Sequence, residues 1–263
     1  MATVRSKDGT SIAFDKQGSG PALILVDGAL CSRTMGPSAS LAALLKQHFT
    51  VYTYDRRGRG ESGDTAPYSV KREVEDIDAL VQDAGGSAFV WGISSGGALA
   101  LEAANRLPGI KRLAIYEVPF IVDASRGPVA DTWDQIGEAV SADKRGRALS
   151  LFMKSVGMPA FLVWVMRLTP PWRKLKTVAH TLPYDGALVR DNQRGKPLPL
   201  NHWTSITAPT LVMDGGKSPA WMRNANRELA RVVPNARYKT IPGETHMIKA
   251  PAHVPTLVEF FSP

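Results

Sequence analysis

Gly92-Ile93-Ser94-Ser95-Gly96, placed between an apolar run and a helix-forming run, is the stretch that decides the fold. The run before it, residues 88–91, is apolar and predicts a buried strand. The run after it, residues 97–106, is rich in strong helix formers, and Leu107-Pro108-Gly109 predicts its end. A G-x-S-x-G motif between a strand and a helix is typical of a sharp turn that exposes a serine hydroxyl. The sequence therefore predicts that Ser94 is a nucleophile.

The rest of the chain alternates between short strands and helices. This rhythm predicts an α/β fold with a mostly parallel central sheet and helices on both of its faces. Apolar, β-branched and aromatic runs predict strands at residues 10–16, 22–26, 49–54, 112–116, 210–213 and 237–241. Helical periodicity predicts helices at residues 41–47, 70–83, 220–232 and 254–261.

Residues 119–207 depart from this alternation. They are mainly helical in pattern, they contain several prolines, and they include no convincing strand. We therefore predict a core formed by residues 1–118 and 208–263, with residues 119–207 inserted as a helical cap over the strand ends. A small insert has a small core, so some of its large side chains should line an apolar substrate cavity. The candidates are Trp133, Met153, Phe161, Trp164 and Tyr184.

Composition and charge narrow the function classes. The net charge is +8, but the basic residues are scattered without a nucleic-acid-binding motif, so we expect a solvated surface and no nucleic-acid partner. The N-terminal residues lack the apolar core of a signal peptide and no apolar run is long enough to span a bilayer, so we expect no membrane association. The single cysteine, Cys31, fits a reducing cytoplasm. No metal-ligand spacing or nucleotide-binding loop is present, so we expect no metal and no cofactor; a homodimer is left open.

Several motifs together resemble the α/β-hydrolase family over nearly the whole chain. They are the turn at residues 26–29, the segment Tyr54-Asp55-Arg56-Arg57-Gly58-Arg59-Gly60-Glu61-Ser62, the serine motif, the insert and a late histidine. Within that family the chain is most similar to the small esterase and lactone-hydrolase branch. Trp91-Gly92-Ile93-Ser94-Ser95-Gly96 followed by Glu117-Val118-Pro119 resembles the zearalenone-type lactone hydrolases in particular.

The resemblance implies a catalytic triad in which Ser94 is the nucleophile and His246 is the base. The acid is left between two residues. Relatives often carry an aspartate in a Gly-x-x-Asp turn after the later strand, but this chain has Ser218 at that position. Glu117, at the end of the strand after the serine helix, is the favoured replacement, and Asp214 is the alternative. Both keep the order nucleophile, acid, histidine along the chain.

The backbone amides of Ala29 and Ser95 are the expected oxyanion hole. Many relatives have His-Gly where this chain has Asp27-Gly28, which leaves open what Asp27 does beside a developing negative charge. The expected function is hydrolysis of an apolar carboxylic ester or lactone through an acyl-enzyme. The alternatives are a non-hydrolytic small-molecule binder or biosynthetic helper on the same fold, and a C–C bond hydrolase or perhydrolase.

Overall fold

The centre of the protein is an eight-stranded sheet in the order β1-β2-β4-β3-β5-β6-β7-β8. A computed structural model describes residues 1–262. Strands β3 to β8 run parallel, whereas β2 is antiparallel to both β1 and β4. The strands are β1 Ala2–Arg5, β2 Ser11–Gln17, β3 Ala22–Val26, β4 Thr50–Tyr54, β5 Ala88–Ile93, β6 Ile110–Tyr116, β7 Thr210–Gly215 and β8 Ala236–Ile241.

Helices cover both faces of the sheet because its central strands are apolar on both sides. On one face, α2, α3 and α9 contribute Val74, Leu99 and Leu229 to a core that includes Val90 of β5. On the other face, α1 and α10 pack against a second core that includes the neighbouring Trp91. These helices are α1 Ser38–Leu45, α2 Val70–Asp83, α3 Ser95–Ala104, α9 Ala220–Val232 and α10 Ala250–Phe261.

Five α-helices and two short 3-10 helices lie between β6 and β7, where the sequence predicts a helical insertion. The α-helices are α4 Ala130–Ser141, α5 Arg145–Ser155, α6 Ala160–Met166, α7 Pro170–Val178 and α8 Leu182–Val189. Residues 119–207, all of which the structure describes, contain no strand. The sequence positions of β6 and β7 are far apart, yet the two strands are neighbours in the sheet.

Parallel pairing places the carboxyl ends of six strands, β3 to β8, at one edge of the sheet. In the register of the sheet, Val26 pairs with Gly92, Gly92 with Ile115, and Tyr116 with Met213. Strand β8 lies next to β7 and is paired with it in parallel. The loops that follow these strands therefore meet at the same edge, which is where open α/β sheets bind ligands.

The predicted mostly parallel sheet flanked by helices is confirmed. Strand β1 was not predicted from the sequence, because it is an edge strand whose residues are mostly exposed and show no apolar alternation. No helix within residues 1–262 combines the length and the apolar character needed to cross a membrane.

Candidate active site

Ser94 lies in a strained turn between β5 and α3. Its φ of 57° and ψ of −132° lie in a region that non-glycine residues rarely adopt. Its N–H donates to Tyr116 O at 3.0 Å, which ties the turn to β6. The flanking glycines have no room for a side chain: a Cβ on Gly96 would lie 2.4 Å from Val26 O, and one on Gly92 would lie 2.7 Å from Gly96 O. Glycine at both positions lets strand and helix approach closely enough to form the turn.

Glu117 and His246 are joined by a hydrogen bond. His246 Nδ1 donates to Glu117 Oε2 at 2.8 Å, across 129 positions of sequence. Glu117 follows β6 and is completely buried, whereas the His246 side chain, between β8 and α10, is 44% exposed. The pairing holds the imidazole in one orientation and leaves its other nitrogen free to face a substrate.

Other donors complete the environment of Glu117. Its Oε1 accepts hydrogen bonds from the Gly215 N–H at 2.9 Å and from the Ser218 hydroxyl. Burial alone would raise the pKa of Glu117, but the hydrogen bonds from His246, Ser218 and Gly215 hold it below its usual value. Glu117 is therefore an ionised carboxylate at neutral pH. Ser218, at the position where relatives have aspartate, is a second partner of Glu117 that the sequence analysis did not assign.

Asp214, the alternative acid, has a different partner. Its Oδ2 accepts a hydrogen bond from the Tyr238 hydroxyl on β8. Asp214 is buried, and burial raises the pKa of its carboxyl. Of the two carboxylates that the sequence left open, the structure joins Glu117 to His246 and Asp214 to Tyr238.

The two amides expected to form an oxyanion hole flank Ser94. Ser95 begins α3, so its N–H is one of the first-turn donors that have no partner inside the helix. Ala29 follows Gly28, at which a Cβ would lie 2.9 Å from Ser94 Cβ. Within residues 1–262, neither the Ala29 nor the Ser95 N–H donates a hydrogen bond to another backbone group. Both residues line the same cavity as Ser94, Glu117 and His246.

This cavity has a volume of about 200 Å³, which is below the usual range for drug-sized ligands. Its walls are mainly apolar. Besides the residues just described, they include Arg126, Val129, Trp133, Phe152, Ser155, Val156, Asp185, Val189, Gln193, Trp221 and Met222.

One of the five predicted cavity residues lines the cavity. Trp133 does so, and its indole N–H donates to Gln193 Oε1 at 2.6 Å. The structure corrects the expectation for the other four. Phe161 and Trp164 are 67% and 62% exposed, because α6 is a short helix that buries only Val163.

Met153 and Tyr184 have partners of their own. Met153 packs against the hydrophobic core that includes Val90. The Tyr184 ring stacks on Tyr68 with 3.8 Å between centroids, and its hydroxyl donates to Asp64. The presence of large side chains in the insert does not by itself tell which of them pack against other residues and which line the cavity.

The Asp27 carboxyl does not line the cavity. It is directed toward the loop after β3, where a Cβ on Gly36 would lie 2.6 Å from its Oδ2. Asp27 is 4% exposed, and burial raises its pKa to about 7. Because the raised pKa lowers the share of ionised Asp27 near neutral pH, and because the carboxyl lies outside the cavity that Ser94 lines, the conflict with a developing oxyanion that the sequence suggested is reduced.

A buried ion cluster, which was not predicted from the sequence, includes Asp185 of the cavity wall and extends behind that wall. Asp185 of α8 accepts hydrogen bonds from Arg56 Nη1, Arg59 Nη2 and Ser95 Oγ, each at 2.8 Å. Arg59 also donates to Gly28 O at 2.7 Å. The cluster thus ties α8 to the loop that carries Ala29 and to the first residue of α3, which carry the two candidate oxyanion amides. The sequence signals for it are the closely spaced arginines within residues 54–62 and Asp185 in an otherwise apolar helical stretch.

Comparison with known proteins shows the family and agrees with the fold. Residues 27–257 match the model of the alpha/beta hydrolase family, so the chain belongs to the alpha/beta hydrolase family. The crystal structure of an alpha/beta hydrolase from Sphaerobacter thermophilus is 49% identical and superposes with a TM-score of 0.89, over 99% of this chain and 100% of that one.

Two further relatives have named activities. A pimeloyl-acyl-carrier protein methyl ester esterase from Xanthomonas axonopodis pv. citri is 36% identical over 140 residues, which is 51% of this chain and 52% of that protein. The match thus spans about half of the curated relative's length. The enol-lactonase from Burkholderia xenovorans LB400 is 22% identical with a TM-score of 0.72 over the whole of both chains, which shows a shared fold.

Proposed function

We propose that this chain is a serine hydrolase that cleaves a small carboxylic ester or lactone through an acyl-enzyme. The observation that carries the proposal is the 2.8 Å hydrogen bond between His246 Nδ1 and Glu117 Oε2, in the cavity that Ser94 also lines. A serine hydroxyl is a weak nucleophile at neutral pH and needs such an oriented base.

In the first half of the reaction, His246 Nε2 takes the proton of the Ser94 hydroxyl as Oγ attacks the carbonyl carbon. Ionised Glu117 stabilises the imidazolium that forms. The carbonyl oxygen becomes negative and accepts hydrogen bonds from the Ala29 and Ser95 amides, which are free of backbone partners. When the C–O bond to the leaving alcohol breaks, imidazolium returns the proton to that oxygen.

In the second half, water attacks the acyl-enzyme and gives its proton to His246. The acid product leaves as Ser94 Oγ takes the proton back, so the enzyme is restored. The partial exposure of His246 gives water access to this step. In a lactone the alcohol and the acid are parts of one product.

The named relatives support ester and lactone chemistry as the reaction class, since one is called a methyl ester esterase and one an enol-lactonase. The zearalenone-type specificity suggested by the sequence resemblance stays a prediction. A cavity of about 200 Å³ favours a small acyl group.

The experiment that tests the proposal combines labelling with turnover. A fluorophosphonate probe should add once to the wild-type protein, as measured by intact mass, and should not add to Ser94→Ala. Hydrolysis of 4-nitrophenyl butyrate should fall at least about 1,000-fold in Ser94→Ala, because removal of the nucleophile leaves only binding and oxyanion stabilisation.

Ser205→Ala, which removes an exposed serine, is the matched control and should behave as wild type. If folded wild-type protein forms no adduct and shows no turnover that depends on Ser94, the hydrolase function is wrong. A non-hydrolytic binder would then be the better description of the same cavity.

A further inference from the structure

One cationic side chain in the cavity has no role in the chemistry just described. Arg126 lies in the segment between β6 and α4 and lines the cavity together with Ser94 and His246. Its guanidinium carbon is 4.2 Å from the centroid of the Trp221 ring, which also lines the cavity. Its Nη2 donates to Ser155 O at the end of α5. These contacts hold the guanidinium plane in one orientation.

The other charged groups of the cavity wall are already paired. Glu117 accepts a hydrogen bond from His246. Asp185 is compensated by Arg56 and Arg59, which lie behind the wall. Neither carboxylate is therefore a free counter-charge for a further cation.

Arg126, in contrast, makes no salt bridge with any carboxylate within residues 1–262. Partial burial of its guanidinium among apolar groups lowers its pKa, which means that the charged form has lost hydration without gaining an anion. The neighbouring walls at Val129, Phe152 and Val156 are apolar. The cavity thus carries one positive charge with no negative partner.

The single protein hydrogen bond to Ser155 does not use up the donors of this side chain. A guanidinium has five N–H donors in a planar fork, and that fork matches the two oxygens of a carboxylate. If Arg126 served only to tie the segment between β6 and α4 to α5, it would need neither its positive charge nor its position in the cavity wall.

We propose that Arg126 binds a carboxylate on the substrate, so that the substrate is an ester or lactone that carries a second, free carboxylate at the end of a short apolar chain. This deepens the serine-hydrolase function proposed above and rests on it. The apolar walls fit the connecting carbons, and the cavity volume limits the chain to a few carbons.

The test compares matched pairs of esters: monomethyl succinate, glutarate and adipate against the neutral methyl esters with the same number of acyl carbons. Methanol release gives kcat/KM for each. We expect wild type to favour at least one of these monomethyl esters, which keep a free carboxylate, over its neutral partner by about 10-fold or more. Arg126→Gln should lower kcat/KM for that ester about 10- to 100-fold, the usual effect of one charge-assisted hydrogen bond, and change the neutral ester less than about threefold.

Arg173→Gln is the matched control, because Arg173 is an exposed arginine of α7 outside the cavity. It should leave both esters unchanged. Arg126→Lys keeps the charge without the fork and should recover part of the lost rate; equal melting temperatures of the variants exclude a folding defect. An equal loss on charged and neutral esters, or no loss on either, would overturn the proposal.

A binding measurement separates this proposal from the hydrolase function. Calorimetry with the same monoesters on Ser94→Ala detects the carboxylate site without turnover, and Ser94→Ala/Arg126→Gln should lose that binding. Binding that depends on Arg126 in a protein without Ser94-dependent turnover would retain the carboxylate site and reject the hydrolase. Turnover of neutral esters that depends on Ser94, with no preference for the monoesters and no binding of them, would retain the hydrolase and reject the carboxylate site.

Discussion

Replacing Asp185 by asparagine should destabilise the protein far more than the loss of any exposed ion pair. Asp185 is completely buried, and its carboxylate accepts from Arg56, Arg59 and Ser95 at 2.8 Å each. Burial alone would raise the pKa of Asp185, but the two guanidinium charges and the Ser95 hydrogen bond hold it below its usual value. The group is therefore a carboxylate at neutral pH.

The size of the effect depends on which carboxylate partners Arg56 and Arg59 retain in Asp185→Asn. Arg56 retains Glu73 at 2.8 Å, whereas Arg59 has no other carboxylate partner within residues 1–262. The asparagine amide also places N–H donors where a guanidinium donor already points. Breaking a buried pair in this way costs about 3–5 kcal/mol, because a buried charge is left uncompensated. For a chain of this size that corresponds to a fall in Tm of roughly 6–20 °C.

Urea unfolding followed by far-UV circular dichroism measures the change, with the slope m checked for constancy. The matched control is Asp134→Asn, which removes an exposed pair with Arg190 and should cost less than about 1 kcal/mol. If Asp185→Asn unfolds at the same urea concentration as Asp134→Asn, with an unchanged m, the electrostatic reasoning is refuted.

Two further predictions concern other carboxylates. Glu117→Gln should lower kcat on an activated ester about 100- to 10,000-fold, because the imidazolium loses its counter-charge. Asp214→Asn should change kcat less than about threefold, because Asp214 is bonded to Tyr238. Equal losses in the two variants would contradict the assignment of the acid. The folded protein keeps the Asp27 proton up to about pH 7, while the unfolded chain releases it near pH 4, so burial of Asp27 costs stability that grows as the pH rises between these values. The unfolding free energy of Asp27→Asn minus that of wild type should therefore increase by about 2–4 kcal/mol from about pH 4 to pH 8, as measured by urea unfolding. A difference that does not change with pH would argue against the raised pKa.

The apolar strands and helices of the core could be predicted because their signals are local. A buried parallel strand such as β5 is a short apolar run, and α2 has apolar residues at helical spacing, so a window of the chain contains the information. The serine turn is also local, because Gly92 and Gly96 act on the backbone directly beside Ser94. Membership of the alpha/beta hydrolase family followed from these same motifs.

What the sequence by itself determined is thus the order of strands and helices and the turn that exposes Ser94. Only the tertiary structure decided which carboxylate meets His246, since Glu117 lies 129 positions away and reaches it through the pairing of β6 with β7 and β7 with β8. It likewise decided that Arg126 faces the cavity while Trp164 faces solvent. Side chains in a helical insert can pack inward, line a cavity or remain exposed with the same local pattern, so their surroundings depend on contacts between distant segments.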